Sequence, residues 1–109
     1  MAWIQLQSAE QLNEIKQQQG YSLIFKHSTR CSISMMAKRR FELDWEDLPR
    51  DMPLYFLDLI QYRDISSQIV QLFHVHHESP QLLLIKDGEC ILDQSHGAIS
   101  VEEALSEIS

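Results

Sequence analysis

The chain has 109 residues, of which 44% are hydrophobic and 23% charged, a size and composition for one compact domain with a core that needs no disulfide staples. Its formal net charge of −7, with acidic residues from Glu10 to Glu107, argues against nucleic acid as a partner, because phosphate binding needs a basic face. No apolar run approaches the roughly 20 residues that span a bilayer, so no membrane partner is expected. The opening Met-Ala-Trp-Ile-Gln lacks the basic and apolar regions of a signal peptide. Two cysteines in such a chain point to a reducing compartment, the cytoplasm, and to chemistry in place of a structural bridge.

Trp3 to Leu6 reads as a short strand. Ser8 follows as a helix N-cap with Gln11 three residues on, the spacing of a capping box, and Ala9, Leu12 and Ile15 repeat at helical intervals until Gly20 closes the helix. Leu23-Ile24-Phe25 is a continuous apolar run, the mark of a strand buried on both faces. Ile33, Met36, Ala37, Arg40 and Phe41 give the stripe of a second helix, which the acidic, Pro-containing passage from Phe41 to Arg50 should end. Leu54 to Asp58 is a third strand. Asp64 can cap a helix with Ile65, Ile69, Leu72 and Phe73 on its inner face.

Pro80 introduces a fourth strand, Leu82 to Ile85. Asp87-Gly88 is a hairpin turn, since both central residues of a type I′ turn need positive φ, and Glu89 to Gln94 is the returning strand. Ser100 and Glu103 form a second capping box before the stripe Val101, Ala104, Leu105 and Ile108. The order is β-α-β-α-β-α-β-β-α. Helical crossovers call for parallel pairing and the terminal hairpin for one antiparallel pair, so the class is α/β with a mixed central sheet flanked by helices.

Cys31 stands where the second strand gives way to the second helix. A thiol at a helix N-terminus faces free backbone N–H groups and the positive end of the helix dipole, which favour the reactive thiolate. Lys26, Arg30, Lys38, Arg39 and Arg40 bracket it, either as a locally positive site or, for the last three, as a solvated helix face. Three residues on, where a dithiol redox protein would carry its second cysteine, stands Ser34.

The run Lys26-His27-Ser28-Thr29-Arg30-Cys31-Ser32-Ile33-Ser34, with Glu78-Ser79-Pro80-Gln81 and the Lys86-Asp87-Gly88 turn, resembles the YtxJ-like monothiol bacilliredoxin family within the thioredoxin-like fold. That family usually reads Thr-Cys-Pro-Ile-Ser, so Arg30 and Ser32 depart from its pattern. The resemblance implies a thioredoxin-like fold over the whole chain, a cis bond at Ser79-Pro80, and a monothiol thiol-disulfide oxidoreductase. Its substrates would be S-thiolated client proteins from which it removes a low-molecular-weight thiol, bacillithiol, under oxidative or general stress. That thiol is the co-substrate, and no resident cofactor is implied.

On this reading Cys31 is the nucleophile, and Ser34 either donates to its sulfur or is an ordinary helix residue. Arg30 and Ser32 flank the thiol on the substrate side. Ser79 and Pro80 lie against the Cys31 loop, where the Ser79 backbone could pair with an extended substrate. Cys90 is expected to pack as a small hydrophobe. His74, His76 and His77 look like a solvated turn more than a metal site, because they lack partners at zinc spacing; His27 and His77 are placed to tune Cys31. Two other functions stay open: a non-catalytic thioredoxin-like stress or adaptor protein with a redox-sensing Cys31, and an iron–sulfur carrier, for which the loop Cys-Ser-Ile-Ser is a poor fit.

Overall fold

The structure is a computed structural model and describes residues 1–108. Five strands form one mixed sheet in the order β1-β3-β2-β4-β5, made of β1 (Ile4–Gln5), β2 (Tyr21–His27), β3 (Leu54–Asp58), β4 (Gln81–Lys86) and β5 (Glu89–Ser95). Leu23, Ile24 and Phe25 on β2 have no exposed surface, because this strand is central and covered on both faces. One layer of core lies between the sheet and the helices α2 (Ser32–Asp44) and α4 (Val101–Glu107), around Phe25, Phe41, Leu84 and Val101. The other lies under α1 (Ala9–Gln17) and α3 (Arg63–Phe73), around Leu12, Ile24, Leu57 and Ile69.

The α1 capping box forms as expected: Ser8 Oγ accepts the Gln11 N–H at 3.3 Å, and Gln11 Oε1 accepts the Ser8 N–H at 3.1 Å. Gly20 does not close that helix, which ends at Gln17; with φ of 87° it turns the chain into β2 and donates its N–H to Asp87 Oδ1 at 2.7 Å. Asp87 and Gly88 have φ of 51° and 81°, the left-handed pair a type I′ hairpin requires. Gly88 is also a close approach: a Cβ there would collide with the Lys16 backbone carbonyl.

The sheet holds two antiparallel pairings, not one, since β4 runs antiparallel to both β2 and β5 while β1–β3 and β2–β3 are parallel. After α3 descends the sheet, residues 74–80 carry the chain back to the end it came from, so β4 starts beside Lys26 instead of beside Tyr21. That return brings Pro80 to the end of the sheet from which the Cys31 loop departs.

Helix α2 departs from its expected form in two ways. It runs on to Asp44 and a 3-10 turn at Trp45–Asp47 instead of ending near Phe41. Its tail is held by the residue just before β1: Trp3 packs on Phe41 and Trp45 at 5.7 and 5.2 Å between centroids and donates its Nε1–H to Glu42 at 2.7 Å. The buried face is Ser34, Ala37 and Phe41, whereas Ile33 and Met36 are 55% and 65% exposed. The polar Ser34 is drawn inward by a partner on β2, and the helix is rotated accordingly.

Smaller differences occur at two caps. Tyr62, not Asp64, is the N-cap of α3; Asp64 lies in the first turn, where a carboxylate meets the positive end of the helix. Ile65, Ile69 and Phe73 are buried as expected. At α4, Ser100 Oγ accepts the Glu103 N–H at 3.3 Å, but the reciprocal half of the box goes through Gln94, which takes the Ser100 N–H and donates to Glu103.

Candidate active site

Strand β2 ends in Lys26 and His27, and alternation along a strand sends them to opposite faces. Between His27 and α2 the chain makes a tight turn in which the Cys31 N–H donates to Ser28 O at 3.2 Å. Cys31 is the N-cap of α2, with extended φ and ψ of −115° and 119°, and its carbonyl receives the first helical bond from the Met35 N–H. The thiol is free and half-buried. Among the described residues no hydrogen bond reaches its sulfur, and the opening N–H groups of the helix, Ser32 first, have no intrahelical partner.

Ser34 has no exposed surface. Its hydroxyl oxygen accepts the Ser28 N–H at 3.1 Å and lies 2.7 Å from His27 Nδ1. The donation to Cys31 considered from the sequence is therefore not made here; Ser34 instead stitches the Cys31 turn to the end of β2. The His27 ring is 5% exposed and packs 5.1 Å from Phe56. Its pKa lies below the usual histidine value, chiefly through burial and then through Lys38, with Asp58 and Glu42 pulling the other way. At neutral pH it is uncharged, so Nδ1 can accept the Ser34 proton.

Pairing of Lys26 with Gln81 puts Pro80 one residue further on, level with His27. The Ser79-Pro80 bond is cis, as the family resemblance implied. Pro80 is buried and its carbonyl accepts the His96 N–H at 3.2 Å, while Ser79 Oγ has no partner. Cys31, Ser34, His27 and the cis-proline thus share one end of the sheet.

The five basic residues do not form one patch. Lys26 points to the α1/α3 side, fully buried, with Nζ 3.0 Å from His77 Nδ1, and burial lowers its pKa to about 8 despite the opposing pull of Glu78. Lys38 pairs with Glu42 at 2.9 Å and lies over the Phe56 ring. Arg40 reaches the His96 carbonyl at 3.4 Å. Arg30 and Arg39 are exposed, with no hydrogen bond or ion pair among the described residues.

The histidines of the 74–77 segment also separate. His74 ends α3 in the left-handed conformation, His76 gives its carbonyl to Gln81 Nε2, and His77 serves Lys26. Among the described residues no group of three or more His, Cys, Asp or Glu is arranged to hold a metal. His77 does not tune Cys31; its partner lies on the other face.

Cys90 lies on β5 opposite Ile85, which is opposite Ser22 at the far end of β2. Five residues of strand, about 17 Å, separate that level from His27, well beyond the roughly 7 Å between Cα atoms that a disulfide allows. Cys90 packs with the α1/α3 core, and burial, with help from Asp93, raises its pKa to about 11. It is a packed thiol, as expected.

One feature had no sequence signal. An open groove of about 600 Å³ runs along α2 from Ser32, with His27, Met35, Met36, Lys38 and Glu42 on its walls. The helical periodicity had assigned Met36 to the core, so its place on this groove became visible only with the helix rotation.

Residues 4–104 match the family described as Monothiol bacilliredoxin BrxC. The chain belongs to the monothiol bacilliredoxin family. Among solved structures, a candidate oxidoreductase with a thioredoxin fold is 34% identical, with a TM-score of 0.83 over 94% of this chain and 90% of that one. The thioredoxin of Malassezia sympodialis shares the fold at 22% identity and a TM-score of 0.72, covering 95% and 87% of the two chains. Mitochondrial thioredoxin 3 of Saccharomyces cerevisiae does so at 16% identity and a TM-score of 0.76, covering 97% and 95%. This bacilliredoxin therefore has the thioredoxin fold and the character of a thiol oxidoreductase. No helix among its described residues is long and apolar enough to cross a membrane.

Proposed function

We propose that the protein removes a low-molecular-weight thiol, bacillithiol, from S-thiolated client proteins in the cytoplasm under oxidative or general stress. The Cys31 thiolate attacks the small-thiol sulfur of a protein mixed disulfide. That S–S bond breaks, the client leaves as a thiolate that takes a proton from water, and Cys31 carries the small thiol as a new mixed disulfide. A second small thiol or a separate reductase then attacks the adduct and restores Cys31. The reaction uses no resident cofactor.

One observation carries this reading: a free, half-exposed thiol stands at the N-cap of α2, at the end of the sheet where the cis-proline arrives, and the third residue of that helix is Ser34. A hydroxyl cannot resolve the adduct as an internal disulfide, so the second thiol must come from outside. Ser32, the first helical residue, supplies a backbone donor that the family's usual proline lacks. Arg30, exposed beside the thiol, suits an anionic thiol adduct, and the Ser79 backbone suits an extended client segment. Intact mass spectrometry after incubation with the oxidised small thiol tests the proposal. The expected product is one adduct on the wild type and none on Cys31→Ala. No adduct on the wild type, or an equal one on the variant, overturns it.

A further inference from the structure

We propose that His27 takes up the proton of Cys31 through the hydroxyl of Ser34, so that the serine in the resolving position serves as a proton relay. The inference rests on Cys31 being the reactive thiol and deepens that reading.

Hydrogen-bond capacity couples the three groups. A serine hydroxyl has one proton and two lone pairs. With the neutral ring protonated on Nε2, one lone pair accepts the Ser28 N–H and the hydroxyl proton goes to His27 Nδ1, 2.7 Å away. Should His27 bind a proton on Nδ1, that nitrogen becomes a donor and fills the second lone pair. The hydroxyl proton must then turn elsewhere. Cys31 and Ser34 are the N-cap and third residue of α2, the spacing at which the third residue's side chain reaches back toward the N-cap residue in a capping box. The thiol is the group to which the freed hydroxyl turns.

The transfer balances. Cys31 gives its proton to Ser34 Oγ as Ser34 gives its own to His27 Nδ1. The products are a thiolate, an imidazolium and an unchanged serine now donating to the sulfur. The groups facing His27 set the cost. Lys38 on α2 opposes the positive ring, while Glu42 on α2 and Asp58 on β3 favour it; Phe25 and Phe56 contribute apolar walls. His27 acts through Ser34 without touching the sulfur, so it is a positioning residue for the exchange.

The test is the pH dependence of Cys31 alkylation by iodoacetamide, followed by intact mass in a Cys90→Ala background. Three proteins are compared: this background alone, with His27→Asn, and with Ser34→Ala. Asn retains an acceptor near the Nδ1 position but takes up no proton. The background protein should show a reactive shoulder below the ordinary thiol titration near 8.5, and both substitutions should remove it, with a loss of roughly ten-fold at pH 7. Combining them should cost no more than either alone, because they interrupt one path. Profiles in His27→Asn and Ser34→Ala that superimpose on the background overturn the relay and leave the proposed function standing, as do losses that multiply in the double variant. No alkylation of Cys31 at any pH overturns the functional reading and the relay together.

Discussion

Lys26 and His27 show how adjacent residues on one strand acquire different work. His27 enters the α2 side, where a hydroxyl waits; Lys26 enters the α1/α3 side, where its hydrogen-bond partner among the described residues is His77. Both His27 and His77 have pKa values below 6.5, so the unfolded chain binds more protons than the folded one just under that value. Stability should therefore fall as pH drops below about 6.5. Lys26 follows the same sign in a higher window: with its pKa lowered from 10.5 to about 8, stability rises as pH increases above 8. Cys90, raised from 9.0 to about 11, acts in the opposite sense above 9, so the lysine effect is clean between 8 and 9. Urea unfolding across pH should show that rise in the wild type and lose it in Lys26→Met. The variant should be more stable at pH 7 by about 1–3 kcal/mol, since an apolar side chain replaces a buried charge and the exposed His77 is left to water. A less stable Lys26→Met would mean that the Lys26–His77 bond outweighs the cost of burial.

At the scale of elements, α2 is the instructive case. Its apolar residues at helical spacing predicted Ile33 and Met36 in the core, but Ser34, Ala37 and Phe41 face inward. Periodicity counts apolar residues and cannot see a polar side chain that finds a buried partner, here His27, on a strand ahead of it. The assignment has a direct check in thermal or urea unfolding. Met36→Gln should change stability by less than about 0.5 kcal/mol, as at other exposed positions. Phe41→Ala, which opens a cavity among Trp3, Phe25 and Ala37, should cost about 3–5 kcal/mol. A large loss in Met36→Gln would restore the stripe read from the sequence. The capping box at Ser8, the hairpin at Asp87-Gly88 and strand β3 needed no such correction, because their signals involve residues within a few positions of one another.

Across the whole molecule, the sheet separates its two cysteines. Cys31 sits at the end where the cis-proline arrives, and Cys90 lies near the opposite end on the other face. Mild oxidation with diamide should give no internal disulfide, and Cys90→Ala should exchange thiols at the wild-type rate; peptide mapping that finds a Cys31–Cys90 link would contradict this arrangement. The sequence by itself determined the order of elements, the strand–cysteine–helix junction, the absent second thiol at Ser34 and the family that these residues resemble. Each of these is local in the chain or carried by a short motif. Only the tertiary structure decided that β4 pairs antiparallel with β2, that α2 turns Ser34 inward and leaves Met36 on a groove, and that the basic residues around Cys31 disperse over two faces. Those outcomes depend on which side chains meet between elements, His27 with Ser34, Trp3 with Glu42 and Lys26 with His77, and no local pattern of apolar and polar residues encodes those meetings.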